Sequence, residues 1–474
     1  MKPFILQVSL IFLLSIYTWS VGAQCSDSPA NCSLNLKQPI FPGSNAIGIL
    51  TRSYAKSPLP TVFTDVKYVD EDSYRPGICD APISTICDNN GSILSYDVYY
   101  PKNHDYINGC ALPAMILFHA GGFDECSSRD QSLVKAMCNY FAHRGFVTFN
   151  VEYRVGRLKD QRIYTSVQQQ LAAYRACQDG RGAIRSIIKR QMNETPGGTL
   201  NDPYRIDLTK IFVGGMSAGG IIALNAGWYT NPMTYQAFPS VGTTTQNALG
   251  LIDRDYYYAS PTDVPNVQSY IKGILAMWTG IPMRINNIND QYSFFTYGSN
   301  LPPIIAFQGK NDEVFPFYEN SKQQVKFSPS SHPYYNSETR CLLNGTTYTL
   351  EGNATTVDLI SGSTLNMYHI ASFYGVRAEL YLDCDMGHGL DDDKDPDKFK
   401  SNFGTCNNTV DGMGLYITQR AATFFQAVMN NLSFGAPHKT VFIECENKRV
   451  ACNTADNYYC DNTCVTSTQC SLTP

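Results

Sequence analysis

The stretch Lys210-Ile211-Phe212-Val213-Gly214-Gly215-Met216-Ser217-Ala218-Gly219-Gly220-Ile221-Ile222-Ala223-Leu224-Asn225-Ala226 decides the fold. An apolar run leads into a glycine-flanked serine, and a helix-like run leaves it. That is the strand, sharp turn and helix context of a nucleophile elbow. A serine held in a strained turn needs neighbours without bulk two positions away, and Gly215 and Gly219 supply them. Alone the pentapeptide is a weak signal, since a chain this long yields about 0.15 chance matches. Its weight depends on what surrounds it.

Outward from the elbow, short apolar runs alternate with helical patterns. Ser92–Tyr100 reads as a strand stopped by Pro101, and Ala114–Phe118 as a strand buried on both faces. A helix is expected over Gln131–His143, a strand over Phe146–Val151, and a long helix from about Tyr164 to Arg190, weakened in its middle by Gly180 and Gly182. Downstream, Ile274–Trp278, Pro303–Phe307 and Val376–Leu382 read as strands, Thr364–Phe373 as a short helix and Ile417–Met429 as the last helix. The segment Gln24 to Arg75 is expected to be irregular apart from a strand at Thr61–Val69, and Lys326–Leu359 to be loop. Such alternation predicts an α/β fold: a mostly parallel sheet covered by helices on both faces, with ligands at the C-terminal ends of the strands.

Acyl transfer from an ester needs a nucleophile, a base, a carboxylate to orient the base, and donors for the oxyanion. Candidates stand just past predicted strands. Ser217 is the nucleophile, Asp312 follows Pro303–Phe307, and His388 follows Val376–Leu382. The order Ser, Asp, His is the one expected on such a sheet. Glu313 and Asp385 are rival acids. Asp312 is preferred because Asp385 would share a loop with the base that it must orient. His332 is the rival base, and His119 reads as a hydrogen-bonding residue at a strand end. The acidic run Asp391–Asp397 lacks the glycine and distal glutamate of an EF-hand loop and reads as solvated surface.

With these residues in view, the chain resembles the α/β-hydrolase-fold carboxylesterases whose oxyanion segment reads His-Gly-Gly-Gly. The matching pieces are His119-Ala120-Gly121-Gly122-Phe123, Glu152-Tyr153-Arg154, Gly215–Gly220, Gly309-Lys310-Asn311-Asp312 and Gly387-His388-Gly389, colinear over about 92–431. The resemblance implies that backbone N–H groups of Gly121, Gly122 and Ala218 stabilise the oxyanion, with no cofactor. Ala120 departs from the family's usual glycine. The substrate expected is a small-molecule or polymer-linked carboxylic ester. An amidase or peptidase on the same fold, or a non-catalytic extracellular binding protein, are the alternatives. The aromatic stretches Trp228–Tyr258 and Tyr292–Tyr297 suit either a pocket lining or the core of an insertion.

Composition sets the remaining bounds. Net charge is −5, with no basic run, which disfavours nucleic acid as a partner. Residues 1–23 read as a secretory signal peptide: an apolar stretch too short for a membrane anchor, then Val21-Gly22-Ala23. No later run is long enough to span a membrane. All 16 cysteines lie beyond the cleavage site, which suggests up to eight disulfides in a secreted protein, and seven Asn-x-Ser/Thr sequons suit a glycosylated surface. Cysteine and histidine spacing offers no zinc site. The expected organisation is a catalytic domain over 24–435, with insertions at about 226–272 and 320–360, and a Cys-rich C-terminal extension over 436–474.

Overall fold

Apolar character on both faces drives the central strands together. The computed structural model describes residues 36, 39–43, 45–54, 94–106, 110–123, 131–154, 166–193, 202–229, 251–253, 259–280, 301–309, 312, 314–315, 340–343, 346–349, 367, 371, 376–383, 388–390, 410–430, 439–445 and 448–452. In chain order the strands are β1 (Ile47–Ser53), β2 (Ser95–Pro101), β3 (Leu112–Phe118), β4 (Val147–Val151), β5 (Ile206–Met216), β6 (Ile271–Met277), β7 (Ile304–Gly309), β8 (Arg340–Leu343), β9 (Thr346–Thr349), β10 (Ala378–Asp383), β11 (Lys439–Cys445) and β12 (Lys448–Cys452). The α-helices are α1 (Ser132–His143), α2 (Ser166–Asn193), α3 (Ala218–Trp228) and α4 (Val410–Met429). Every residue of β3, β4 and β7 is buried, as expected of strands covered on both faces.

Ten strands form one sheet in the order β1-β2-β4-β3-β5-β6-β7-β10-β11-β12, and β8 and β9 pair separately. From β4 through β3, β5, β6, β7, β10 and β11 the neighbours are parallel. The edges β1–β2–β4 and β11–β12 are antiparallel. One hydrophobic cluster joins the sheet to α2 and α3, and the other joins it to α1 and α4. The expected α/β sheet with helices on both faces is what the chain forms. From β3 the chain passes to β4 on one side and, later, to β5 on the other. That reversal opens a crevice at the C-terminal ends of β3 and β5, the place where such sheets bind ligands.

The glycines that weaken α2 on paper have a packing reason. A Cβ on Gly180 would stand 2.2 Å from Ile222 Cγ2 and 3.2 Å from the Phe118 ring, so glycine lets α2 close on α3 and β3. The helix therefore continues through a residue with poor helix propensity, because tertiary burial outweighs about 1 kcal/mol of local preference.

Three expectations are corrected. The stretch Gln24–Arg75 holds β1, an edge strand too polar on one face to stand out; Tyr100 lies over its Gly48. The Lys326–Leu359 loop holds the β8–β9 hairpin. The last helix begins at Val410, not Ile417. The segment from 436, expected as a Cys-rich C-terminal extension, opens with β11, which pairs with β10, and β12, which pairs with β11. Within the first expected insertion, α3 ends at Trp228 and a 3-10 turn at Val267–Tyr270 precedes β6. Residues 1–23, Thr61–Val69 and Asp391–Asp397 lie outside the described residues, as does most of Thr364–Phe373.

Cysteine pairing is also revised. Cys110 is disulfide-bonded, but Cys138 and Cys177 are free and buried, which leaves at most seven pairs rather than eight among the 16 cysteines. Burial pushes both thiols well up from their usual range, so both behave as small apolar side chains. Among the described residues, no helix is long and apolar enough to cross a membrane.

Candidate active site

β5 delivers Ser217 into the turn before α3 with φ 50° and ψ −115°, a left-handed backbone that a non-glycine residue adopts only under constraint. The constraint is close packing. A Cβ on Gly215 would lie 2.2 Å from the Gly219 carbonyl carbon and oxygen, so the two glycines let strand and helix fold back on each other. The Ser217 N–H donates to the Met277 carbonyl at 2.9 Å, tying the turn to the end of β6. Its carbonyl accepts from the Gly220 N–H at 3.0 Å and from the Thr279 hydroxyl at 2.7 Å.

Facing this turn, Ser217 Oγ stands 2.9 Å from His388 Nε2. His388 Nδ1 lies 3.0 Å from Oδ2 and 3.1 Å from Oδ1 of Asp312. A carboxylate only accepts, so the imidazole carries its proton on Nδ1 and turns the lone pair of Nε2 to the serine hydroxyl. Asp312 is buried, and other donors also hold it. The N–H groups of Val314 and Phe315 each donate to Oδ1 at 2.8 Å, and the Gln308 amide donates to Oδ2. The Phe315 ring packs beside the imidazole, with centroids 5.8 Å apart. His388 opens a 3-10 turn after β10 and is partly exposed.

The expected oxyanion segment follows β3. Phe118 of β3 is in register with Gly215 of β5, so the segment and the elbow leave neighbouring strands at the same end. Gly121, Gly122 and Phe123 have φ of 124°, 59° and 68°, a run of left-handed backbone that glycine adopts readily. Ala218 heads α3, and Gly219 presses against the start of the segment, where a Cβ would stand 2.3 Å from the Phe118 oxygen. Ala120, the departure from the family pattern, is held by Gln131, whose Oε1 accepts its N–H at 3.2 Å. His119 is buried, as expected of a structural residue: its ring stacks on Tyr153 at 3.9 Å, and the Tyr153 hydroxyl donates to the His119 carbonyl at 2.8 Å. The adjacent Arg154 makes a buried ion pair with Asp179 of α2.

The sheet order, the crevice and the relay can now be set beside known proteins. Residues 96–326 match the BD-FAE family model, an esterase-like α/β-hydrolase family, and the match takes in Ser217 and Asp312. The matched segment covers just under half of the chain. No curated protein matches it. Solved structures that it is similar to include an esterase from the planctomycete Thermogutta terrifontis with propionate bound (18% identity, covering 75% of this chain and 95% of that chain, TM-score 0.39). Thermogutta terrifontis esterase 2 phosphorylated by paraoxon aligns at 17% identity, over 74% of this chain and 93% of that chain, with a TM-score of 0.39. Its tabun adduct gives 17%, 74%, 94% and 0.40.

Across this mostly parallel sheet the structure brings Ser217, His388 and Asp312 into one hydrogen-bonded line, with Gly121, Gly122 and Ala218 at the same end of the sheet. The rivals Glu313, Asp385 and His332 lie outside the described residues. Two supporting residues escaped the sequence reading. Gln308 had a usable signal, a polar side chain inside an otherwise apolar buried strand. Thr279 had none, since it stands next to the elbow only after β5 and β6 pair. Among the described residues no group of His, Cys, Asp or Glu could hold a metal.

Proposed function

We propose that this α/β-hydrolase cleaves carboxylic esters through an acyl-enzyme on Ser217. The observation that carries the reading is the line from Ser217 Oγ to His388 Nε2 (2.9 Å) and from His388 Nδ1 to Asp312 Oδ2 (3.0 Å). In the first half-reaction Ser217 Oγ bonds to the ester carbonyl carbon as His388 Nε2 takes its proton. The carbonyl oxygen gains the negative charge and is met by N–H groups of Gly121, Gly122 and Ala218. Collapse breaks the carbon–oxygen bond to the alcohol, which leaves with the proton held by His388. Water then attacks the acyl-serine, giving its proton to the same nitrogen, and Ser217 recovers its hydrogen as the acid departs. Asp312 keeps the imidazole in the productive tautomer throughout.

The esterase-like family model over residues 96–326 supports an ester as the substrate. The proposed setting is extracellular, supported by the signal-peptide pattern of residues 1–23 and by the cysteine and sequon content. A fluorophosphonate probe tests the chemistry. The intact chain is expected to label, and Ser217→Ala to lose the label entirely. An intact, folded chain that does not label would sink the enzymatic reading. Turnover of a peptide p-nitroanilide in preference to p-nitrophenyl acetate would move the assignment to an amidase.

A further inference from the structure

Gln308 is the fourth member that the relay needs. The inference rests on Ser217, His388 and Asp312 being the reacting set: we infer that Gln308 is a positioning residue that fixes one particular oxygen of Asp312 in front of the base. Gln308 is fully buried in β7 and follows Ile304, Ile305, Ala306 and Phe307, all apolar and buried. An amide in such a strand costs stability unless its polar atoms are bonded, and an apolar side chain of similar volume would serve the sheet as well. The reason for an amide is found just downstream. Its Nε2 donates to Asp312 Oδ2, to the Phe315 carbonyl at 3.1 Å and, at the limit of contact, to the Gly309 carbonyl at 3.5 Å. Every one of these neighbours is an acceptor, so the atom there is the nitrogen and the amide orientation is settled by its surroundings.

The consequence is geometric. One nitrogen grips the beginning, the middle and the end of the stretch that carries the acid, while the N–H groups of Val314 and Phe315 grip Oδ1. The oxygen that takes the Gln308 hydrogen bond, Oδ2, also lies 3.0 Å from His388 Nδ1. Phe315, whose carbonyl takes the second amide hydrogen, sets its ring beside the imidazole. Removing the amide frees both the carboxylate's rotation and the loop's closure, so His388 loses its fixed direction toward Ser217. Gln308 is inferred to act through Asp312 and Phe315, to both of which its Nε2 donates.

The test uses the full chain with p-nitrophenyl acetate, in Gln308→Leu and Gln308→Glu and in each background of Asp312 and Asp312→Asn. Gln308→Leu is expected to lower kcat on the order of 10- to 100-fold with KM nearly unchanged, the size of a small misplacement of a catalytic group. In Asp312→Asn the same change is expected to cost less than about threefold, because the partner through which it acts is already disabled. Equal losses in both backgrounds, or wild-type kcat in Gln308→Leu, overturn the inference. Gln308→Glu sets a second carboxylate against Asp312, and two such groups at hydrogen-bond distance share one proton. Its kcat is therefore expected to fall as pH rises past the point where that proton leaves, a limb that the wild type lacks. A Gln308→Glu profile with the wild-type shape counts against the inference, and so does failure of both variants to fold, which would make Gln308 a folding residue. Inactivity of the wild type toward both ester and fluorophosphonate would instead remove the proposed function.

Discussion

The hydroxyl of Thr279 donates to the carbonyl of Ser217 at 2.7 Å, buried at the point where β5 turns into α3. The strained residue is thus held from behind by Thr279, which stands just past β6 and is its neighbour only in space. Its methyl group fills the room over Gly220, where an added Cβ would fall 2.4 Å from the Thr279 Cγ2. Thr279→Val keeps that shape and removes the donor. The Ser217 carbonyl still accepts from Gly220, so the expected cost is about 1 kcal/mol in urea denaturation. Fluorophosphonate labelling should slow several-fold, and Thr279→Ser should restore it; a Thr279→Ser variant as slow as valine would assign the effect to packing.

Gly219→Ala should disable the enzyme more severely than its size suggests. The new methyl would meet the Phe118 and His119 carbonyl oxygens at 2.3 and 2.4 Å, which are backbone atoms that cannot rotate away. The head of α3 and the oxyanion segment must part, and both supply the donors. Labelling and ester turnover are expected to drop at least about 10²-fold. A folded Gly219→Ala variant with near-normal kcat would show that the two segments need not touch.

Tyr153→Phe separates two jobs of one side chain. The ring that stacks on His119 at 3.9 Å stays, and the hydroxyl that donates to the His119 carbonyl is lost. A fall in kcat with little change in KM is expected, since the segment it steadies is assigned to the transition-state oxyanion. Steady-state kinetics on a soluble ester measures the split. A change confined to KM would place Tyr153 in substrate binding instead.

Acid stability should depend on Asp253. Burial pushes its carboxyl up, but Arg181 and Arg185, both bonded to it, outweigh burial and leave it below the usual range. A carboxyl depressed in the folded state adds stability above its unfolded value of about 3.9, and that stability is lost as pH falls through the lower folded value. Urea denaturation from about pH 7 down to about pH 2 should show this loss in the wild type. Asp253→Asn should be less stable at neutral pH by about 3 to 5 kcal/mol, because two buried guanidinium groups lose their partner, and should show a flatter acid limb.

Much of the sheet was legible because its strands are apolar throughout and end in turn residues. β4 could be read to within one residue and β3 and β7 to within two, while β6 starts three residues before its reading. β1 could not, since an edge strand with one exposed face carries too few apolar positions to distinguish it from irregular chain. β11 and β12 were hidden for a different reason. They are short cysteine-ending runs, β11 pairing with β10 and β12 with β11 through backbone hydrogen bonds, which composition does not report.

The sequence by itself determined the kinds and order of the chemical groups: Ser217 between glycines, then Asp312, then His388, each just past an apolar run. Those features are local, and local pattern is what a chain displays before it folds. Only the tertiary structure decided what holds them. Residues 171 positions apart close to 2.9 Å at Ser217 and His388 because β5 and β10 deliver their ends to one crevice. Gln308 grips Asp312, Thr279 backs Ser217 and Tyr153 steadies His119. The last two supports join residues just past the ends of neighbouring strands, and which strands are neighbours is set by sheet order, a property of the whole packed core; the first depends on how the chain turns after β7.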